Sequence, residues 1–137
     1  MRFTGVPVPV DRTDGEVVVA DAEHAFPCRQ CLTDAHVGEE LLLLSYDPWT
    51  VTSPYRQPGP VFVHREACEV VVTATLPEQQ RRRLLSVRSF DAAGRAVQAR
   101  VVPGADAEDL LQDLLAEADF VHVHNAGPGC FAVRVDR

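Results

Sequence analysis

Apolar residues recur along this chain in short runs separated by turn formers, and most of the runs are the length of a strand. Residues 16–20 (Glu-Val-Val-Val-Ala) are rich in β-branched side chains and predict a strand. Residues 40–46 are almost continuously apolar, long enough for a strand buried on both faces and too short for an ordinary helix. Pro48, Pro54, Pro58, Gly59 and Pro60 then punctuate residues 47–60, which predicts a loop. A short strand follows at 61–64, with one helical turn at 65–68 and a short helix at 77–83, where Pro77 is tolerated in the first turn. Leu84–Phe90 and residues 95–102 flank Asp91-Ala92-Ala93-Gly94, a hairpin signal with Gly94 placed for a left-handed position.

The period changes only once. Ala107, Leu110, Leu111, Leu114, Leu115 and Ala118 fall at helical spacing and make one apolar stripe, which predicts the main helix over 106–118. Asp106 stands where a cap is expected, and Glu108 and Asp109 put negative charge at the positive end of the helix dipole. Period two returns at the end of the chain. With residues 125–129 as a loop, His124 faces Cys130, His122 faces Ala132 and Phe120 faces Arg134. Val121, Val123, Phe131, Val133 and Val135 then line the core side, and His122, His124 and Cys130 share the other face. Residues 1–15, with Pro7, Pro9 and Gly15, read as an extended N-terminal arm to a single α+β domain at 16–137. That domain is expected to carry a mostly antiparallel sheet and one main helix.

Composition narrows the function classes. The 137 residues carry a net charge of −7, which opposes binding to nucleic acid or to anionic membrane. The Arg81-Arg82-Arg83 run is the local exception and reads as a solvated face of a short helix. All 13 basic residues are Arg, and Lys and Ile are absent, a bias of codon composition rather than of function. Residues 1–14 hold no apolar run long enough for a signal peptide, and Leu41 to Leu44 is far short of a membrane span. The expected location is the cytoplasm, where four cysteines suggest metal binding or thiol chemistry rather than disulfides.

The candidate chemistry is Cys28-x-x-Cys31 followed by His64-x-x-x-Cys68. Three thiolates and one neutral imidazole are the ligand set of a closed tetrahedral zinc site, with zinc in a structural role. The segment from Cys28 to Glu39 resembles the zinc knuckle of treble-clef fingers, in which a Gly-Glu turn leads into a strand. A spacer of 32 residues between Cys31 and His64 is longer than in compact fingers. Two other readings stay open: a redox thiol at Cys28 beside the Arg29 cation, and cysteines that merely pack. His122, His124 and Cys130 are a second set. They read first as partly exposed strand residues, and otherwise as two or three ligands on one face or as a Cys130 nucleophile with His124 as base. Trp49 reads as a loop anchor.

Several motifs occur in one order: Phe26-Pro27-Cys28-Arg29, Gly38-Glu39, Pro54-Tyr55-Arg56, Gly59-Pro60-Val61-Phe62-Val63, Phe90 to Arg95, Asn125-Ala126 and Gly129-Cys130-Phe131. Together they resemble a bacterial family catalogued as domain of unknown function 1203, from Val18 onward. The resemblance implies a single-domain cytosolic protein and carries no established activity. It also implies that Cys28 and Cys130 are the shared pair, grouped with Arg29, Tyr55 and Arg56 in one pocket. The expected function is therefore a binding or interaction module with a structural zinc at Cys28, Cys31, His64 and Cys68. Its partner would be a protein or a small molecule. The alternative is a thiol-dependent enzyme using Cys28 or Cys130 on a small anionic substrate.

Overall fold

The computed structural model describes residues 1–7 and 12–137. Pro9 and the rest of the central arm lie outside the described residues. The strands are β1 (Arg2–Thr4), β2 (Glu16–Val19), β3 (Glu40–Tyr46), β4 (Gly59–His64), β5 (Val72–Thr73), β6 (Leu84–Phe90), β7 (Ala96–Pro103), β8 (Phe120–Asn125) and β9 (Phe131–Asp136). Two helices, α1 (Glu78–Arg81) and α2 (Ala107–Glu117), complete the chain. The α+β reading holds, with antiparallel pairing throughout two sheets rather than one. One sheet has the order β5-β1-β9-β8-β6-β7, the other β2-β3-β4. The start of the arm is not a free extension: Phe3 pairs with both Thr73 and Val135 and is fully buried.

The larger sheet is covered on both faces. On one, α2 lays Leu111, Leu114 and Leu115 against Leu85, Val87, Val121, Val123, Val133 and Val135. This is the apolar stripe predicted from period, now closed over a sheet. Asp106 occupies the cap position but its side chain makes no capping bond, because a short 3-10 turn (Gly104–Asp106) leads into the helix. On the other face Trp49 packs edge-on against Phe90 (4.7 Å between ring centres), Phe120 (5.9 Å) and His122 (4.9 Å). The proline-punctuated loop is thus pinned by its tryptophan, as expected of an anchor. Gly94 has φ 76° and closes the β6–β7 hairpin, where Asp91 Oδ1 accepts from the amides of Ala93 and Arg95.

The final hairpin corrects the predicted register. His124 pairs with Phe131, and Val123 with Val133, so Ala132 is an extra residue in β9. This bulge turns Ala132 toward the helix side with Val133 and moves Phe131 to the opposite face, beside His122 (5.3 Å) and Tyr46 (6.1 Å). His122 therefore faces Arg134 across the ladder, and it is buried rather than partly exposed. Period-two reasoning cannot see such a residue, because one insertion inverts the face of everything beyond it.

Candidate metal centre

The Cys-x-x-Cys segment folds as a tight hairpin. Pro27 bridges Asp34, the Cys28 amide donates to the Thr33 carbonyl (3.0 Å), and the Leu32 amide donates to the Cys28 carbonyl (3.1 Å). Closing this turn requires Leu32 at φ 57°, a left-handed conformation that a non-glycine residue rarely adopts. Leu32 tolerates it because its side chain is 3% exposed and belongs to the main core. The turn then lies along β4: Cys28 bridges Phe62, and the Arg29 amide donates to the Phe62 carbonyl (2.9 Å). That alignment carries His64, at the end of β4, over the two thiols.

Cys68 arrives by an irregular segment and not by the expected helical turn. Residues 65–66 are a bend, because the Arg65 amide continues the sheet pairing to the Glu40 carbonyl (3.1 Å). The return path is tied by the Val71 amide to the Gln30 carbonyl (2.9 Å), and the start of the chain packs on the same place. Val6 donates to the Arg29 carbonyl at 2.7 Å, and Gly5 passes so close that a Cβ there would sit 2.2 Å from the Gln30 oxygen.

The ligand atoms of Cys28, Cys31, His64 and Cys68 all lie within 4.8 Å of one another. Cys28 Sγ is 3.7 Å from Cys68 Sγ, and Cys31 Sγ is 3.5 Å from His64 Nδ1. A tetrahedron with metal–sulfur bonds of 2.3 Å and a metal–nitrogen bond near 2.0 Å has edges of about 3.8 Å and about 3.5 Å. These two separations match edges of such a tetrahedron, and the donor chemistry suits a borderline-soft ion. The surroundings fit as well. The His64 amide donates to Cys28 Sγ (3.3 Å), and Thr33 Oγ1 lies 3.0 Å from Cys31 Sγ. Glu39 Oε2 stands 3.1 Å from His64 Nε2, at ion-pair distance though out of hydrogen-bonding alignment. A carboxylate behind a ligating imidazole orients the ring so that Nδ1 faces the sulfurs.

Without a metal the thiols share protons unevenly. Cys31 is pulled down to about 4, chiefly by the hydrogen bond from Cys28 and further by Thr33. Cys28 is pushed up by that same bond and by burial, and Cys68 is raised by burial. The redox reading needs an acidified Cys28, whereas the lowering falls on Cys31. Crowded, desolvated sulfurs of this kind are relieved when a cation replaces their protons.

The pocket implied for Cys28 with Cys130 does not form as expected. Cys28 belongs to the Cys3His cluster. Cys130 instead accepts a hydrogen bond from Arg29 Nη2 (3.1 Å) and borders a trough of about 570 Å³ with Tyr55, Arg56 and His124. Among the described residues, His122, His124 and Cys130 form no ligand cluster. Nor is His124 bonded to Cys130; its Nδ1 is 2.9 Å from the Gly129 carbonyl oxygen. The basic triplet is likewise only part solvent: Arg83 is held by both Asp34 oxygens (2.9 and 3.2 Å) and donates to the His24 carbonyl. Sequence reasoning missed the roles of Glu39, Thr33 and the buried Arg29. The Gly38-Glu39 turn pointed to Glu39, whereas nothing local marked Arg29 as buried.

A mostly antiparallel α+β fold with a Cys3His cluster in its loop region defines the class. The chain belongs to the family described as protein of unknown function (DUF1203), whose model matches residues 25–137. No curated protein and no solved structure matches it.

Proposed function

We propose that this protein is a small binding module whose Cys28, Cys31, His64 and Cys68 hold one structural zinc ion. The observation that carries the reading is the agreement of the sulfur–sulfur and sulfur–nitrogen separations with the edges of a tetrahedral site. Four protein ligands close the coordination sphere, so the ion stabilises the fold rather than activating water. It would add a cross-link among three parts of the chain that backbone pairing already brings together: the 28–33 turn, the end of β4 and the 65–71 return. All four cysteines are free, which suits a reducing compartment such as the cytoplasm. Among the described residues, no helix is long and apolar enough to cross a membrane. The acidic surface favours a protein or small molecule over nucleic acid as partner.

The test is metal analysis of protein purified without chelator, paired with cobalt substitution. One zinc per chain is expected, with sulfur-to-cobalt charge-transfer absorption that falls in Cys31→Ser and in Cys68→Ser. Metal-free protein with unchanged thermal stability after chelator treatment overturns the reading.

A further inference from the structure

A second site lies between the 24–27 loop and the β8–β9 turn, where a cleft of about 390 Å³ has Pro27, Phe62 and Leu84 among its walls. Arg29 lines this cleft yet is only 1% exposed. Its Nε donates to the Phe131 carbonyl (2.9 Å), Nη1 to the Pro27 carbonyl (2.6 Å) and Nη2 to Cys130 Sγ (3.1 Å). A guanidinium has five N–H groups and stays charged, so further donors remain after these three bonds. Among the described residues, no carboxylate comes within ion-pair distance of it. The other cation of the cleft, Arg83, is already matched by Asp34. A buried charge without a counter-ion is costly, and two carbonyl dipoles and a sulfur offset it only in part.

A second group is also unmatched. Asn125 lines the same cleft and is 6% exposed; its Nδ2 lies 3.8 Å from Cys130 Sγ, and its Oδ1 has no partner. A buried carbonyl oxygen left this way is suited to a donor brought by a ligand.

We infer that this cleft binds a small organic carboxylate that also carries an N–H or O–H group. The oxyanion lies against Arg29, the donor reaches Asn125 Oδ1, and a short apolar body rests on Pro27, Phe62 and Leu84. Cys130 Sγ borders the bound molecule. The cavity volume suits a ligand of this size. No group of the site is a member of the Cys3His cluster, although Pro27 and Arg29 flank Cys28 in the chain.

Site-resolved alkylation of Cys130 tests the inference. Iodoacetate is a carboxylate electrophile, and iodoacetamide is its neutral counterpart. In both reactions the sulfur forms a bond to the methylene carbon, iodide leaves with the bonding pair, and the thiol proton goes to solvent. Peptide mapping by mass spectrometry reads Cys130 apart from the other three cysteines. The iodoacetate-to-iodoacetamide rate ratio at Cys130 is expected to be at least tenfold higher in the folded protein than in urea. Sodium propionate is expected to slow labelling, and sodium chloride at equal ionic strength is not. Arg29→Met should abolish the preference. If that variant fails to fold, Asn125→Asp carries the test, since a negative charge in the cleft should lower the ratio at least tenfold. A ratio equal to that in urea, or one unchanged in Asn125→Asp, overturns the inference.

Discussion

His122→Phe isolates one pH-linked penalty in the core. The His122 ring is enclosed by Trp49, Phe90, Phe120 and Phe131 at 4.9–5.7 Å between centres, and its Nε2 is buried without a partner. Burial, helped by the Arg134 charge, pushes its pKa down to about 3, against about 6.5 in an unfolded chain. Above pH 6.5 neither state binds the proton and His122 adds no pH dependence. Below it the unfolded chain takes the proton while the folded one refuses it, so stability falls as pH drops towards 3. Each pH unit costs about 1.4 kcal/mol, or roughly 3 kcal/mol at pH 4.5. Phenylalanine abolishes this loss and removes an unpaired polar atom, which stabilises the protein by about 1 kcal/mol even at pH 7.5.

Urea denaturation followed by the fluorescence of the single tryptophan, Trp49, reads both proteins at pH 7.5, 6.5, 5.5 and 4.5. Acid release of a metal held at the Cys3His cluster would affect parent and variant alike and cancel in their difference. His124, also pushed down by burial to about 4, contributes a slope of the same sign in both proteins. The stability gap between variant and parent should therefore widen by about 3 kcal/mol from pH 7.5 to pH 4.5. A constant gap over that range would mean that His122 titrates normally in the folded state, and the linkage argument would fail.

Three further outcomes follow from packing and ligation. Cys31→Ser should weaken zinc binding by about 3 kcal/mol, on the order of a hundredfold, read by competition with a chromophoric chelator. Gly5→Ala forces a methyl group into the Gln30 carbonyl and should cost about 1–3 kcal/mol in urea denaturation, with zinc affinity falling in parallel. Leu111→Ala removes a fully buried side chain between α2 and the sheet and should cost about 2–5 kcal/mol, with zinc stoichiometry unchanged.

Much of this molecule is legible in one dimension. Residues 40–46, 84–90 and 107–117 carry their periods plainly, and each element formed within a residue or two of its expected ends. The four metal-ligand candidates were legible too, because spacing and residue chemistry limit which side chains can share an ion. Elsewhere the local signal was insufficient. A single bulge at Ala132 reversed the face of Phe131 and changed the partner of His122. The turn expected at 65–68 yielded to a backbone pairing with Glu40, a residue distant in the chain.

Cys28, Cys31, His64 and Cys68 were determined as a set by the sequence alone, because ligand identity and chelate spacing are properties of a chain. Their convergence within 4.8 Å was decided by tertiary structure, through the alignment of the 28–33 turn on β4. The fate of Arg29 was decided there too. Nothing in its neighbours announces a buried cation, since its burial and the lack of a carboxylate beside it among the described residues depend on segments a hundred residues away. Local spacing thus specifies which atoms can bind together, whereas long-range packing sets the distances and the charge balance that make a site.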